Sequence, residues 1–384
     1  MKKLMMICMA LALCACVPKK ENEENAVLKV AVHNESYGES LKELWEETYP
    51  EQTLEIRVVE DLESLLSEEN EYDVYFVEDE SIPKIIDDLK EVNVSCEINT
   101  NHQFHDVFDK VKKVYLPLVA DGLIYYMIDL DKTEQDHISL DTFSSFEKVM
   151  ELDHGFYYYD HIAFTSAFIT GNLNYFPGNE KNQINFTQDS FKEALQDYQT
   201  IMNGVKNGEV AEYDNWFIQD SYYSGFVTNE MQMLKDEEVN GKKVMFAKLP
   251  SIHGHPLYTT AISYGYVVNS KTLYPNAADH LIELMHSKSG MQLLCNDMTL
   301  IPLIPEADLD SFEFENIHIK EKAFALNASI SRNWVGVPGI SEGAIDYLYT
   351  KEVMDKMKVC DLETCGEELD ATYREWLENG KAGQ

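Results

Sequence analysis

The sequence predicts an α/β protein built as two lobes, each a mostly parallel sheet flanked by helices. Three observations carry that expectation. Short apolar strands alternate with amphipathic helices in the N-terminal part, the pattern of βαβ units. The same alternation returns in the second half. And a chain of 384 residues, 45% hydrophobic and 11% aromatic, has enough apolar matter for more than one ordinary core.

Leu28–Val32 reads as a buried strand, and Ser40–Tyr49 as a helix with Leu41, Leu44, Trp45 and Thr48 on one face, stopped near Pro50. Leu54–Val59 is the next strand, Glu60–Ser67 suits a helix, and Tyr72–Val77 is a third strand. Further along, Gly122–Asp129 and Ser263–Val268 read as strands. Leu140–Met150, Asp189–Asn203, Ala163–Ile169 and Ala277–His286 read as helices. Ser341–Leu377 looks helical with a break around Cys360–Gly366. In such sheets ligands sit beyond the C-terminal strand ends. Those loops would be His33–Gly38 and Glu78–Ser81.

The N-terminus has its own pattern. Met1-Lys2-Lys3 is basic, and Leu4–Leu13 is an apolar run of the length of a signal-peptide core, too short for a membrane-spanning helix. Leu13-Cys14-Ala15-Cys16 resembles the lipobox of bacterial lipoproteins. That likeness implies cleavage of residues 1–15 and a lipid on Cys16, with residues 16–26 as a polar tether on the outer face of a cell membrane. Cys14 departs from the usual Ala, Ser or Thr. The formal net charge of -37 and pI near 4.5 exclude nucleic acid as a partner, since phosphates need a basic surface. Of seven cysteines, Cys8 and Cys14 leave with the signal, Cys16 would be acylated, and Cys96, Cys295, Cys360 and Cys365 remain. Export permits disulfides, and the short spacing makes Cys360 with Cys365 the pair to expect.

Several stretches, taken in order, resemble the extracellular solute-binding proteins of carbohydrate ABC importers, the maltose-binding proteins among them. YDVYFVEDESIPKIIDDLKEVN (72–93) is similar to the segment where a strand ends at the cleft. VYLPLVADGLIYYMID (114–129) is similar to the crossover between lobes, and VMFAKLPSIHGHPLYTTAISYGYVVN (244–269) to the return crossover. Residues 277–302 resemble the helix and Leu-rich stretch ending in Ile-Pro. Where many relatives carry Asn-Gly-Pro-Trp, this chain has Lys235-Asp-Glu-Glu238, so one aromatic platform is missing. The resemblance implies a periplasmic-binding-protein-like fold with a hinge. Lobe one would take 27–120 and 262–318, lobe two 121–261 and 319–384. It further implies a maltodextrin-like oligosaccharide held between the lobes and passed to importer membrane subunits.

The candidate site residues follow from both readings. The resemblance puts Asp121 in the first crossover facing the cleft, where a carboxylate accepts hydrogen bonds from sugar hydroxyls. Glu35, Ser36 and Tyr37 follow the first strand, and Asp79 and Glu80 the third. Tyr158, Tyr159, Asp160 and His161 form a polar-aromatic cluster that matches a sugar-contacting region of the second lobe. Of four tryptophans, Trp45 and Trp376 sit at core spacing. Trp216 and Trp334 lie in polar loop contexts, where a flat ring can pack on a pyranose face. The bland alternatives are solvated acids and partly buried aromatics.

No cofactor or metal is expected. His102 with His105, and His253 with His255, lack a third ligand at zinc-motif spacing, and read as surface histidines. No G-x-S-x-G, H-E-x-x-H or phosphate-binding Gly-rich loop occurs, so the chain reads as a binder and not an enzyme. Two carboxylates suffice for a glycosidase, however. A lipid-anchored glycoside hydrolase therefore stays as an alternative, as do a binder of a polyamine or other small polar solute and a binder that signals to a membrane sensor.

Overall fold

The computed structural model describes residues 23–59, 72–92, 94–95, 111–122, 124–157, 186–187, 189–204, 222–227, 243–257, 259, 261–316, 318–329 and 350–378. The chain enters through Glu23, whose carboxylate accepts the Asn276 and Ala277 N–H groups, each at 2.8 Å. Strand β1 (Val27–Val32) follows, then helix α1 (Glu35–Thr48) and β2 (Thr53–Val58). Helix α1 begins five residues before the Ser40 that sequence suggested. Asn34 caps it by accepting the Tyr37 N–H at 2.9 Å. Gly38 reads as a loop residue by composition, yet it lies in the first turn. A Cβ there would stand 2.6 Å from Ile56 Cγ2, so glycine is what lets α1 lie close against β2.

After β3 (Val74–Glu78), β4 (Leu116–Gly122) and β5 (Tyr125–Asp129) come the short α2 (Phe146–Met150) and β6 (Phe156–Tyr157). Helix α3 (Asp189–Gly204), β7 (Ser224–Val227), β8 (Val244–Ala247) and the hairpin of β9 (Ser251–Ile252) and β10 (His255–Pro256) lead to the long β11 (Ala261–Val268). The remainder is α4 (Pro275–Met285), α5 (Lys288–Met298), β12 (Ile301–Pro302), α6 (Glu306–Leu309), α7 (His318–Ser329), α8 (Lys351–Val359) and α9 (Cys365–Glu378).

Two main sheets result. The first runs β12-β4-β11-β3-β1-β2, the second β6-β7-β5-β8. Parallel pairing is narrower than the βαβ pattern suggested. It holds for β2-β1-β3 and for β6 with β7. The other main-sheet pairings are antiparallel. The reason is the route of the chain. Strand β4 carries it out of the first sheet and β11 brings it back, so the two lie side by side in opposite directions.

The larger core starts in the first sheet and runs through α7 onto one face of the second, at Met127, Val227 and Phe246. Leu28, Val30, Phe76 and Tyr266 of the first meet Leu41 and Trp45 of α1 and the helices α4 and α5. Trp45 is fully buried, as its spacing implied. Tyr126 and Phe226 of the second sheet meet Phe146, Leu195, Tyr198, Met357 and Tyr373. Helix α7 packs on β8 and β5 of the second sheet and on β12 of the first, joining the two bodies. The β9–β10 hairpin is pinned to α3. The two carboxylate oxygens of buried Asp197 lie 2.7 Å from His253 Nδ1 and 3.2 Å from His255 Nδ1.

The expected pair Cys360–Cys365 is a disulfide between α8 and α9, and Cys295 is a buried free thiol. Gln199 of α3 donates from Nε2 to the carbonyls of Met357 (3.0 Å) and Cys360 (2.8 Å), so the bridged turn is fastened to the second core. For so short a loop, chain entropy gives the bridge about 2 kcal/mol. The Cys360→Ala/Cys365→Ala double variant should lose that much in urea unfolding, and a reductant should then have no further effect on it.

Candidate functional site at the crossing of the two sheets

The chain crosses between sheets twice, and the crossings touch. In the first sheet Asp121 pairs with Ile262 and Gly122 with Ala261. Three residues past Gly122 the chain is already in the second sheet, at Tyr125. The Ile124 N–H donates to Thr259 Oγ1 at 3.3 Å, tying the outward segment to the return. The Tyr125 hydroxyl folds back on the crossing. It accepts the Gly122 N–H at 2.9 Å and donates to the Asp121 carboxylate. Gly122 sits at a close approach, where a Cβ would lie 3.1 Å from both Leu326 of α7 and the Tyr125 ring, tighter than ordinary contact.

Strand register gathers a row of polar groups here. Ile262 stands opposite Asp121 and Tyr264 opposite Glu78, and alternate residues of β11 share a face. Asp121, Glu78 and Tyr264 are all part-buried on that face. Tyr264 stacks on Phe76 with ring centroids 6.0 Å apart. Burial raises the Tyr264 hydroxyl pKa well beyond its ordinary value, and the charges of Glu78, Asp121 and Asp79 raise it further. The Tyr125 hydroxyl is likewise raised, first by burial and then by Asp121. Behind the row lies Lys322 of α7, 3% exposed, with its ammonium 5.1 Å from the Phe246 ring centroid and 5.3 Å from that of Tyr125. Burial lowers its pKa to about 8, against the pull of the Asp121 carboxylate.

This floor offers carboxylate acceptors, a tyrosine hydroxyl and a flat ring, which suits hydrogen bonding to a polar solute. Among the described residues it holds no serine or cysteine hydrogen-bonded to a histidine. Among the described residues no group of three or more His, Cys, Asp or Glu is placed to hold a metal.

Of the residues singled out in the sequence, Asp121 lies in the crossing. Glu35 and Ser36 are exposed in the first turn of α1, not in a loop. Two others require correction. Tyr37 is fully buried, its hydroxyl bonded to that of Tyr266 inside the first core, because the second residue after a helix start at Glu35 falls on the inward face. Asp79 is 1% exposed, and its Oδ2 accepts the Ser263 N–H at 2.7 Å and the Ser263 hydroxyl at 2.6 Å. It fastens the end of β3 to β11 and does not face solvent. Glu80 follows in the 3-10 turn Asp79–Ser81. Tyr158, Tyr159, Asp160, His161, Trp216, Trp334 and Cys16 lie outside the described residues.

Glu78, Tyr125, Tyr264 and Lys322 were missed. For Lys322 a signal existed: it sits on the apolar stripe of Ile319, Ala323 and Leu326, where a charge is out of place. A separate cavity of about 850 Å³ opens beside edge strand β8, lined among others by Met245, Lys248, Glu306, Lys320 and Phe324. None of the singled-out residues reaches it; its walls are β8, α6 and α7.

No protein-family profile matches the chain, and no curated protein matches it in sequence. Solved structures match its fold along nearly its whole length. The extracellular solute-binding protein from Staphylococcus aureus in complex with maltose is 12% identical, with 92% of this chain and 98% of that one covered at a TM-score of 0.72. A cyclo/maltodextrin-binding protein complexed with maltotetraose is 13% identical, with 94% and 100% covered at 0.71. The maltose-binding periplasmic protein from Listeria monocytogenes in complex with maltose is 15% identical, with 93% and 99% covered at 0.66. The fold is therefore the two-lobed α/β fold of solute-binding proteins.

Because Asp79 serves the fold, Asp79→Ala should lower unfolding free energy by about 3 kcal/mol, leaving the buried Ser263 donors without their acceptor. Urea denaturation measures this. An unchanged midpoint would show that the β3–β11 lock contributes nothing.

Proposed function

We propose that this chain is a membrane-anchored extracellular solute-binding protein. It captures a maltodextrin-like oligosaccharide between its lobes and delivers it to the membrane subunits of an ABC importer. The observation that carries the reading is the meeting of Asp121, Tyr264 and Glu78 where the two crossing segments join the sheets, in a fold whose solved examples hold maltose and maltotetraose. Lobe one would comprise 27–120 with 262–318, and lobe two 121–261 with 319–384. Glu35 and Ser36 on the rim, together with Tyr159, Asp160, His161, Trp216 and Trp334, would complete the contacts. Closure would be a hinge motion about the crossings, as in other periplasmic binding proteins. The solute leaves unchanged, so the chain is not an enzyme. A lipid on Cys16 and the short polar tether would hold it at the outer face of the membrane, where its own negative charge gives no attraction.

A second reading, an amine-bearing solute such as a polyamine, is favoured by the two part-buried carboxylates, Glu78 and Asp121, on the face that carries Tyr264.

Isothermal titration with maltose, maltotetraose and spermidine separates the readings. Saturable binding of a maltodextrin recovered intact supports the first, and binding of spermidine alone supports the second. Released shorter sugars would establish a hydrolase. Asp121→Ala should weaken binding of the accepted solute by about 1.5–3 kcal/mol, or roughly 10- to 150-fold. Labelling with a radioactive fatty acid should mark the parent chain and not Cys16→Ser; equal labelling of both would put the lipid elsewhere.

A further inference from the structure

The hairpin of β9 and β10 turns through His253 and Gly254, both at positive φ, 49° and 80°. Histidine tolerates that conformation, yet Asn or Asp before Gly is the usual choice in a two-residue turn. A histidine in the first place therefore calls for a reason beyond the turn. Its backbone N–H donates to the Glu147 carboxylate of α2, and its ring reaches α3.

What the ring meets there is Asp197, whose side chain is 3% exposed. One carboxylate oxygen lies 2.7 Å from His253 Nδ1 and the other 3.2 Å from His255 Nδ1. A carboxylate only accepts, so each Nδ1 carries the proton and donates it. Each neutral ring is thereby fixed as the tautomer whose Nε2 holds a lone pair. The two side chains are 43% and 47% exposed, and among the described residues neither Nε2 has a hydrogen-bond partner. With the Nδ1 edges against a buried group, the Nε2 edges are the ones left to solvent.

Histidines that bind metals are built this way. One ring nitrogen takes the ion, while the N–H of the other is held by a carboxylate that orients the ring. We infer that His253 and His255 together bind one divalent transition-metal ion of the nickel, copper and zinc class through their Nε2 atoms, with solvent in the remaining positions. Imidazole suits that class of ion. Asp197 stands behind the rings as a positioning residue and is not itself a ligand, so two protein ligands make the site. Its charge and that of Glu147, at the His253 backbone, offset the charge of the ion. Calcium and magnesium take oxygen ligands, and all four oxygens of these two carboxylates already accept N–H or O–H donors. Nothing in this depends on which solute the lobes hold.

Isothermal titration of the full chain with Ni²⁺ at neutral pH, in excess Ca²⁺ to occupy the acidic surface, tests the assignment. One equivalent of Ni²⁺ should depend on both histidines. Asp197→Asn is nearly isosteric, but its amide nitrogen can only donate. The ring that faces that nitrogen must take the opposite tautomer and carry its proton on Nε2. Asp197→Asn should therefore weaken this equivalent by about 10- to 100-fold, and His253→Gln or His255→Gln by at least as much. Binding that either histidine substitution leaves unchanged, or that excess Ca²⁺ abolishes, overturns the proposal. So do two equivalents lost one at a time, which would mean separate histidines. An Asp197→Asn protein that binds Ni²⁺ like the parent overturns the positioning role. Should the variants fail to fold, diethyl pyrocarbonate labelling of the parent with peptide mapping replaces them, because it reads each histidine separately. Zn²⁺ should protect His253 and His255 together, and equal labelling with and without Zn²⁺ overturns the proposal.

Discussion

The antiparallel contact between β4 and β11 constrains everything around it. One strand carries the chain out of the first sheet and its neighbour brings it back, so every group near Asp121 and Ile262 belongs at once to a sheet and to a connection. The contact demands closeness, and Gly122 supplies it by having no side chain. Closeness brings the Tyr125 hydroxyl onto the backbone of the outward segment, and the Ile124 N–H onto Thr259 of the return. The polar row at Glu78, Tyr264 and Asp121 is a by-product of that register. A slip of one residue in β11 would turn Tyr264 to the opposite face and dismantle it.

The sequence was informative where a local rule had a local cause. Strand and helix alternation, the burial of Trp45 and the Cys360–Cys365 bridge all follow from spacing within one or two elements. It was uninformative where position in space depended on a distant partner. Tyr37 and Asp79 both follow a strand, and nothing in the adjoining residues says that one meets Tyr266 and the other Ser263, each far along the chain. The antiparallel pairings were hidden for the same reason, since a strand's composition does not record the direction of its neighbour. Glu78 was passed over because acids are so common here that one more carries no signal.

Lys322 is the instructive intermediate case. The apolar stripe of α7 was visible, and a lysine on it was a contradiction that could have been noticed. What could not be foreseen was that the stripe serves two bodies, β8 and β5 on one side and β12 on the other. A polar residue on an ordinary surface helix turns outward. On a helix covered from both sides it has nowhere to turn, and its charge must be answered internally. The fold shared with solved solute-binding proteins supplies the two lobes, whereas the placement of this charge is a matter of the chain's own residues.

Strand β1 lies between β2 and β3, in parallel with both, and just before it Glu23 is fixed across the start of α4. A load applied at the N-terminal end would first meet the Glu23 clamp. Beyond that it would run along β1, with β1 and β2 in register from Val27 with Thr53 to Val32 with Val58. Tension in that direction strains all the ladder hydrogen bonds together, in shear, and does not peel them one at a time. A load borne at that end is thus taken up by a strand flanked on both sides, one position in from the sheet's β2 edge.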